Sequence, residues 1–284
     1  MIEKKTLPAL ALGLVMMMLV TGTARAEEKT SLFVSIAPQA YLAKQIGREK
    51  VAVNVLVPPG KSPATYAPNP GQMVKLARAS LFFSINVPFE RALMPKLARF
   101  ANGLAIVDTT KGINTRKFAS GGADPHTWMS PLLAAKMAQT MCAALCDNTP
   151  DLTSFFKANL AALLADLNEL HQRLKKELAP LKGKTILVFH PVFGYFTDLY
   201  GLEQKAVEKG GRAPRGKELA GLIKQAKKEN IRVVFVQPQF DTRTAGKIAE
   251  AIDGAVVPMD PLAEDYIANL EKMALTLKKQ LNNQ

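Results

Sequence analysis

From residue 32 onward, short runs of β-branched and aromatic residues alternate with longer stretches whose apolar positions recur every three to four residues. The short runs read as strands and the longer ones as amphipathic helices. Strands are expected over 32–36, 51–57, 81–85 and 105–107, with helices over 39–47, 71–79 and 89–100. Elements alternating at these lengths predict a parallel sheet covered by helices on both faces.

The middle of the chain changes character. A helix is expected over 132–147. Beyond Asn148-Thr149-Pro150, a longer helical pattern covers 151–179, with Leu160, Leu163, Leu164, Leu167, Leu170, Leu174 and Leu178 at steps of three and four. At 1.5 Å per residue it would be roughly 45 Å long, enough to serve two lobes, and Pro180 and Gly183 end it. The alternation then restarts, with strands over 185–189, 204–207, 232–236 and 255–258 and helices over 217–229, 243–252 and 264–280. The predicted class is α/β: two lobes, each a parallel sheet flanked by helices, joined by one long backbone helix. The expected boundaries are 27–149 for the first lobe, 150–180 for the linking helix and 181–284 for the second lobe. In such a plan a ligand sits in the cleft outside the carboxyl ends of the strands.

Residues 1–26 carry the signature of a secretory signal peptide. Lys4 and Lys5 precede an apolar run over 7–20, and Ala24-Arg25-Ala26 offers a cleavage site after Ala26. The run falls short of the roughly 20 residues that span a bilayer, and no Cys stands near the cleavage site for lipid attachment. An exported, periplasmic protein is expected. The chain of 284 residues has 37 Lys and Arg against 24 Asp and Glu, a net charge of +13. No basic run is interleaved with aromatics, so this charge reads as a solvated basic surface and not as a nucleic-acid interface.

Composition narrows the chemistry. Two cysteines, Cys142 and Cys146, exclude a disulfide scaffold and a Cys-rich zinc module. Four apart on one predicted helix, they read as small buried side chains, since a disulfide within a helical turn has poor geometry. The histidines are three: His126, His171 and His190. His171 lies mid-helix beside the leucine stripe and reads as structural. His126 stands in the loop Asp124-Pro125-His126-Thr127-Trp128, His190 ends a predicted strand before Pro191, and Asp260 ends the last one. Each also has a structural reading: an incidental loop histidine, a strand-end histidine bonded to backbone, a turn residue. Glu208, near the end of the sixth strand, reads either as a surface glutamate or as a further oxygen donor. Tyr66 and Glu90 are weaker candidates.

These motifs resemble those of the cluster A-I solute-binding proteins, the zinc- or manganese-binding components of ABC importers. The resemblance runs through Pro58-Pro59-Gly60-Lys61-Ser62-Pro63, Tyr66-Ala67-Pro68, Val87-Pro88-Phe89-Glu90, Asp124-Pro125-His126-Thr127-Trp128, His190-Pro191 with Gly194-Tyr195, Pro238-Gln239-Phe240 and Asp260-Pro261-Leu262. It implies two α/β lobes joined by a rigid helix, and metal ligands at His126, His190 and Asp260, with Glu208 as a candidate fourth. The departures are specific. Ala64 stands where members commonly carry a histidine, Gln237 where an acidic residue is frequent, and Ala213-Pro214 where Glu-Pro is common. The stretch 111–123 has no histidine.

Two imidazoles and one carboxylate suit Zn²⁺ with an open position, and also Mn²⁺ or Fe²⁺. The expected function is therefore a monomeric periplasmic binding protein, not an enzyme, that captures a divalent metal ion and delivers it to an inner-membrane ABC permease. One alternative is a metal-dependent hydrolase, because incompletely ligated zinc activates water. Against it, the chain has no H-E-x-x-H or G-x-S-x-G motif. The other alternative is a metal-free binder of a small ligand on the same fold.

Overall fold

The structure is a computed structural model that describes residues 29–118 and 121–282. The expected signal segment and its cleavage point lie outside the described residues. No helix among the described residues is long and apolar enough to cross a membrane.

The first sheet contains β1 (Thr30–Val34), β2 (Val51–Val55), β3 (Leu81–Ser84) and β4 (Ala105–Asp108), in the order β2-β1-β3-β4. Every pairing is parallel. Its crossovers are α1 (Ala37–Gly47), α2 (Pro70–Ala77) and α3 (Pro88–Phe100). After α4 (Pro131–Asn148) and α5 (Thr153–Leu178), the second sheet contains β5 (Thr185–Val188), β6 (Glu203–Ala206), β7 (Val233–Val236) and β8 (Ala255–Pro258). Its order, β6-β5-β7-β8, repeats the first, again all parallel. α6 (Gly194–Tyr200), α7 (Lys217–Lys228), α8 (Thr242–Ala251) and α9 (Tyr266–Leu281) complete the chain.

The central strands explain themselves. Leu81, Phe82 and Phe83 of β3 and Val233, Val234, Phe235 and Val236 of β7 are all buried, as required of strands covered on both faces. The outer strand β6, Glu-Gln-Lys-Ala, buries none of its residues fully. α5 has 26 residues, about 39 Å of helix. Its stripe of Leu163, Leu167, Leu170, Leu174 and Leu178 is buried against α1, α4 and α9. Each such leucine contributes about 2 kcal/mol of transfer free energy. One apolar core runs from the first sheet through α4 and α5 to Phe193, Phe196 and Tyr266 of the second half. A smaller core lies under α7 and α8, around Phe189, Val234 and Ile248.

The sequence-based elements are recovered with ends shifted by one or two residues. One α-helix was missed. Gly194–Tyr200 forms α6, seven residues rich in aromatic side chains, whose weak helix propensity hides it. Packing decides it: Gly194, Tyr195, Phe196, Thr197 and Tyr200 are buried, and Gly201 ends the helix at φ 74° as left-handed caps do.

Candidate metal centre

A cleft of about 1130 Å³ opens where the carboxyl ends of both sheets meet. His126 and His190 line it from opposite sides, together with Ala64, Trp128, Glu208, Gln237 and Phe240.

His126 comes from the connection after β4. Asp124, fully buried, accepts the His126 backbone N–H at 3.0 Å and pairs with its Nδ1 at 2.6 Å. Asp124 is itself held by the Arg116 guanidinium at 3.2 Å, and its carbonyl accepts the Tyr195 hydroxyl at 2.8 Å. The His126 ring meets the edge of Trp128, with centroids 5.2 Å apart. Trp128 in turn donates its indole N–H to the Pro261 carbonyl at 2.9 Å, so the loop that carries His126 is tied to the second lobe. Burial pushes the His126 pKa below the usual imidazole range, and Asp124 opposes this. The ring is therefore neutral near pH 7, the form that ligates a metal.

His190 follows β5. Gln237, almost fully buried beyond β7, clasps its backbone from both sides, accepting its N–H at 3.2 Å and donating to its carbonyl at 2.9 Å. Phe240 stacks on the ring at 5.1 Å, and Nδ1 bonds the Glu208 carboxylate. The His126 and His190 rings lie 5.3 Å apart. Each imidazole thus has its Nδ1 fixed by a carboxylate and its Nε2 without a hydrogen-bond partner among the described residues. A carboxylate on the far nitrogen fixes tautomer and orientation and raises ligand basicity.

Glu208 is not a surface glutamate. Its side chain is only 9% exposed, and it bonds His190. Asp260 stands beside the cleft. Its Oδ1 accepts from Gln239 at 3.0 Å and from the Leu262 backbone at 2.9 Å. The structure brings His126, His190 and Glu208 together. It does not draw Asp260 into a finished cage: among the described residues, no three His, Cys, Asp or Glu side chains form a group ready to hold a metal.

The remaining candidates sort themselves. His171 bonds the Tyr200 hydroxyl at 3.3 Å. Tyr66 donates to Gln72 at 2.6 Å and packs edge-on against Phe89. Glu90 is buried within the first lobe, bonded by Ser35 and by the Ile85 and Asn86 backbone N–H groups. Cys142 and Cys146 are free thiols 4.0 Å apart, and burial pushes the Cys142 thiol up to about 12, which keeps it protonated and unreactive. Sequence reading did not single out Asp124, Gln237 and Gln239 as supports. The Asp-x-His spacing was a legible signal for the first. The other two act through strands that only the fold makes neighbours.

Residues 32–280 match the family described as zinc-uptake complex component A, periplasmic (ZnuA). The high-affinity zinc uptake system protein ZnuA of Bacillus subtilis is 25% identical over 243 residues, 79% of this chain and 76% of that protein. Among solved structures, a crystal structure of ZnuA superposes with a TM-score of 0.86 at 37% identity, covering 89% of this chain and 99% of the other. A zinc-bound ZnuA lacking its residues 138–173 gives 0.84 at 36% identity, covering 89% and 98%.

Proposed function

The chain belongs to the family of the periplasmic zinc-uptake component A, and from that premise we propose that His126 and His190 are the imidazole ligands through which it captures zinc. It is a metal-binding solute-binding protein of a zinc-uptake ABC system, a transport component and not an enzyme. That membership sets aside the hydrolase and the metal-free binder. Zinc is cargo here, held and then released.

The observation that carries the ligand assignment is the pair of rings 5.3 Å apart, one from each lobe, each with Nδ1 held by its own carboxylate. This leaves two oriented Nε2 donors facing one cleft, which suits a cation that accepts nitrogen ligands. Asp260 supplies the third donor through Oδ2, which makes no hydrogen bond among the described residues. Glu208 serves as the support of His190. Its other carboxylate oxygen, which has no hydrogen bond among the described residues, is the candidate fourth donor.

The chain divides into lobes at 27–149 and 181–284, with 150–180 as the linking helix. It is exported with cleavage after Ala26, works as a monomer, and delivers its ion to an inner-membrane permease. Two imidazoles with a carboxylate also accommodate Mn²⁺ and Fe²⁺. Elemental analysis of protein purified without added metal, followed by calorimetric titration of the apoprotein with Zn²⁺ and Mn²⁺, tests the reading. A one-to-one zinc complex tighter than the manganese complex is expected. Apoprotein that takes up neither ion overturns it.

A further inference from the structure

His126 leaves the first lobe in the connection after β4, yet no hydrogen bond from the first sheet or from α1, α2 or α3 holds it. Among the described residues, the segments 114–118 and 121–130 make hydrogen bonds and ion pairs only with one another, with the adjoining α4, and with residues beyond α5. Most of the last group come from α6. The Arg116 backbone N–H donates to the Tyr195 hydroxyl at 3.0 Å, and that hydroxyl donates to the Asp124 carbonyl at 2.8 Å. One buried phenol thus ties both ends of the loop 116–124 together, with its donor and one acceptor position used. The Arg116 guanidinium lies 5.9 Å from the Tyr195 ring centroid, pairs with Asp198 at 3.1 Å and donates to Asp124 at 3.2 Å. Gly194 makes room for it, since a Cβ there would stand 1.2 Å from Nη1 and 2.3 Å from Cζ. Asp124 then fixes Nδ1 of His126 at 2.6 Å.

We propose that Gly194, Tyr195 and Asp198 of α6 are the positioning residues of His126. None of the three lines the cleft. Tyr195 sets the loop, Asp198 and the space at Gly194 set Arg116, and Arg116 sets the carboxylate that orients the imidazole. Only Pro191, Val192 and Phe193 separate α6 from His190. One short segment of the second lobe therefore carries one imidazole directly and aims the other through a relay. A carboxylate behind a ligating imidazole acts through its orientation and basicity, and a satisfied buried network holds that orientation rigidly. The inference rests on the assignment of His126 as a zinc ligand and adds what keeps it in place.

Two variants test the relay without hollowing the core. Tyr195→Phe removes only the hydroxyl. Gly194→Ala puts a methyl group where the guanidinium lies. Its backbone is outside the left-handed region and the arginine side chain is flexible, so the fold survives while Arg116 moves off Asp124. The control is Tyr200→Phe, which removes the phenol hydroxyl at the other end of α6, bonded to His171 at 3.3 Å. Calorimetry should show zinc affinity lower by about three- to tenfold in each test variant, the size of one or two lost hydrogen bonds, and unchanged in the control. The loss should vanish in the His126→Ala background, because residues that act through one another are not additive. Histidine-¹⁵N NMR of the zinc-free protein reads the rings themselves, of which the chain has three. Both test variants should shift or broaden the His126 signals and leave those of His171 unmoved, and Tyr200→Phe should do the reverse. His126 signals unchanged in both test variants overturn the proposal, as does an equal affinity loss in the His126→Ala background. Wild-type zinc affinity in His126→Ala alone overturns the ligand assignment, a failure told apart from this one because the ring signals report the relay without zinc.

Discussion

In the first lobe the crevice between β1 and β3 is filled by Glu90, bonded by Ser35 beyond β1 and by the Ile85 and Asn86 backbone N–H groups beyond β3. In the second lobe the crevice between β5 and β7 carries His190 and Gln237, and it opens on the cleft. The two sheets share one strand order, so these crevices are the same topological switch point used in two ways. The first is sealed with a buried acid. The second presents an imidazole. The other loops follow the same contrast. Beyond β2 the first lobe offers Ala64, where the second offers Glu208 beyond β6. Beyond β4 it offers His126, where the second offers Asp260 beyond β8. A shared scaffold therefore sets where donors can stand, and the side chain at each loop decides whether one does.

The largest effect should come from removing the one imidazole that each lobe supplies. His126→Ala and His190→Ala are each expected to weaken zinc binding by at least about a hundredfold, more than the usual loss of a supporting residue. His171→Ala, on α5 and bonded to Tyr200, should change it little. Calorimetry on the three variants decides, and equal losses from all three would break the comparison.

The supporting carboxylates come next. Asp124→Asn and Glu208→Gln should each cost roughly 10- to 100-fold in zinc affinity, because they stop fixing the imidazoles. A loss with Glu208→Gln as large as that of His190→Ala would make Glu208 a direct ligand and sharpen the asymmetry between the lobes.

A gain of function is expected at Ala64. Ala64→His adds an imidazole on the cleft wall of the poorer lobe and should tighten zinc binding about tenfold relative to manganese, since imidazole suits zinc better than it suits an oxygen-preferring cation. The gain should disappear when His190→Ala is added. A gain that persisted would place the new imidazole in a different site.

The smallest effect on zinc is expected at the sealed crevice. Burial, with Asp108 assisting, pushes the Glu90 carboxyl up to about 7 from an ordinary 4.5, while the hydrogen bonds from Ser35, Ile85 and Asn86 pull it down. A folded-state value above the unfolded one favours the protonated fold. The stability this contributes is complete below about pH 4.5 and is lost as pH rises through about 7, a change on the order of 3 kcal/mol. Urea unfolding at pH 5 and pH 8 should therefore differ between the wild type and Glu90→Gln by that margin, with zinc affinity unchanged. The same pH slope in both proteins would remove Glu90 from this role.

Local pattern was enough for much of the molecule. The β/α alternation, the leucine stripe of α5 and the restart after Gly183 follow from periodicity, because burial on one helix face or on both sheet faces imposes its spacing on the chain. His126, His190 and Asp260 were legible as polar residues at loop and strand ends, where α/β folds admit ligands. α6 was not legible, because its aromatic residues are helical only by virtue of what they pack against. Glu208 read more readily as a surface residue, since nothing in the sequence brings it to His190 eighteen residues earlier.

The sequence by itself determined the two-lobed α/β plan and the short set of side chains able to hold a metal. Only the tertiary structure decided which of them act together. Convergence of His126 and His190 depends on contacts between residues far apart in the chain, such as Trp128 to Pro261 and Arg116 to Tyr195 and Asp198. Gly194 belongs to the same set, since a Cβ there would lie 1.2 Å from the Arg116 guanidinium. Periodicity reports which face of an element is buried. It carries no record of which distant loop a strand end will meet, because that meeting is fixed by the packing of two lobes on one shared helix.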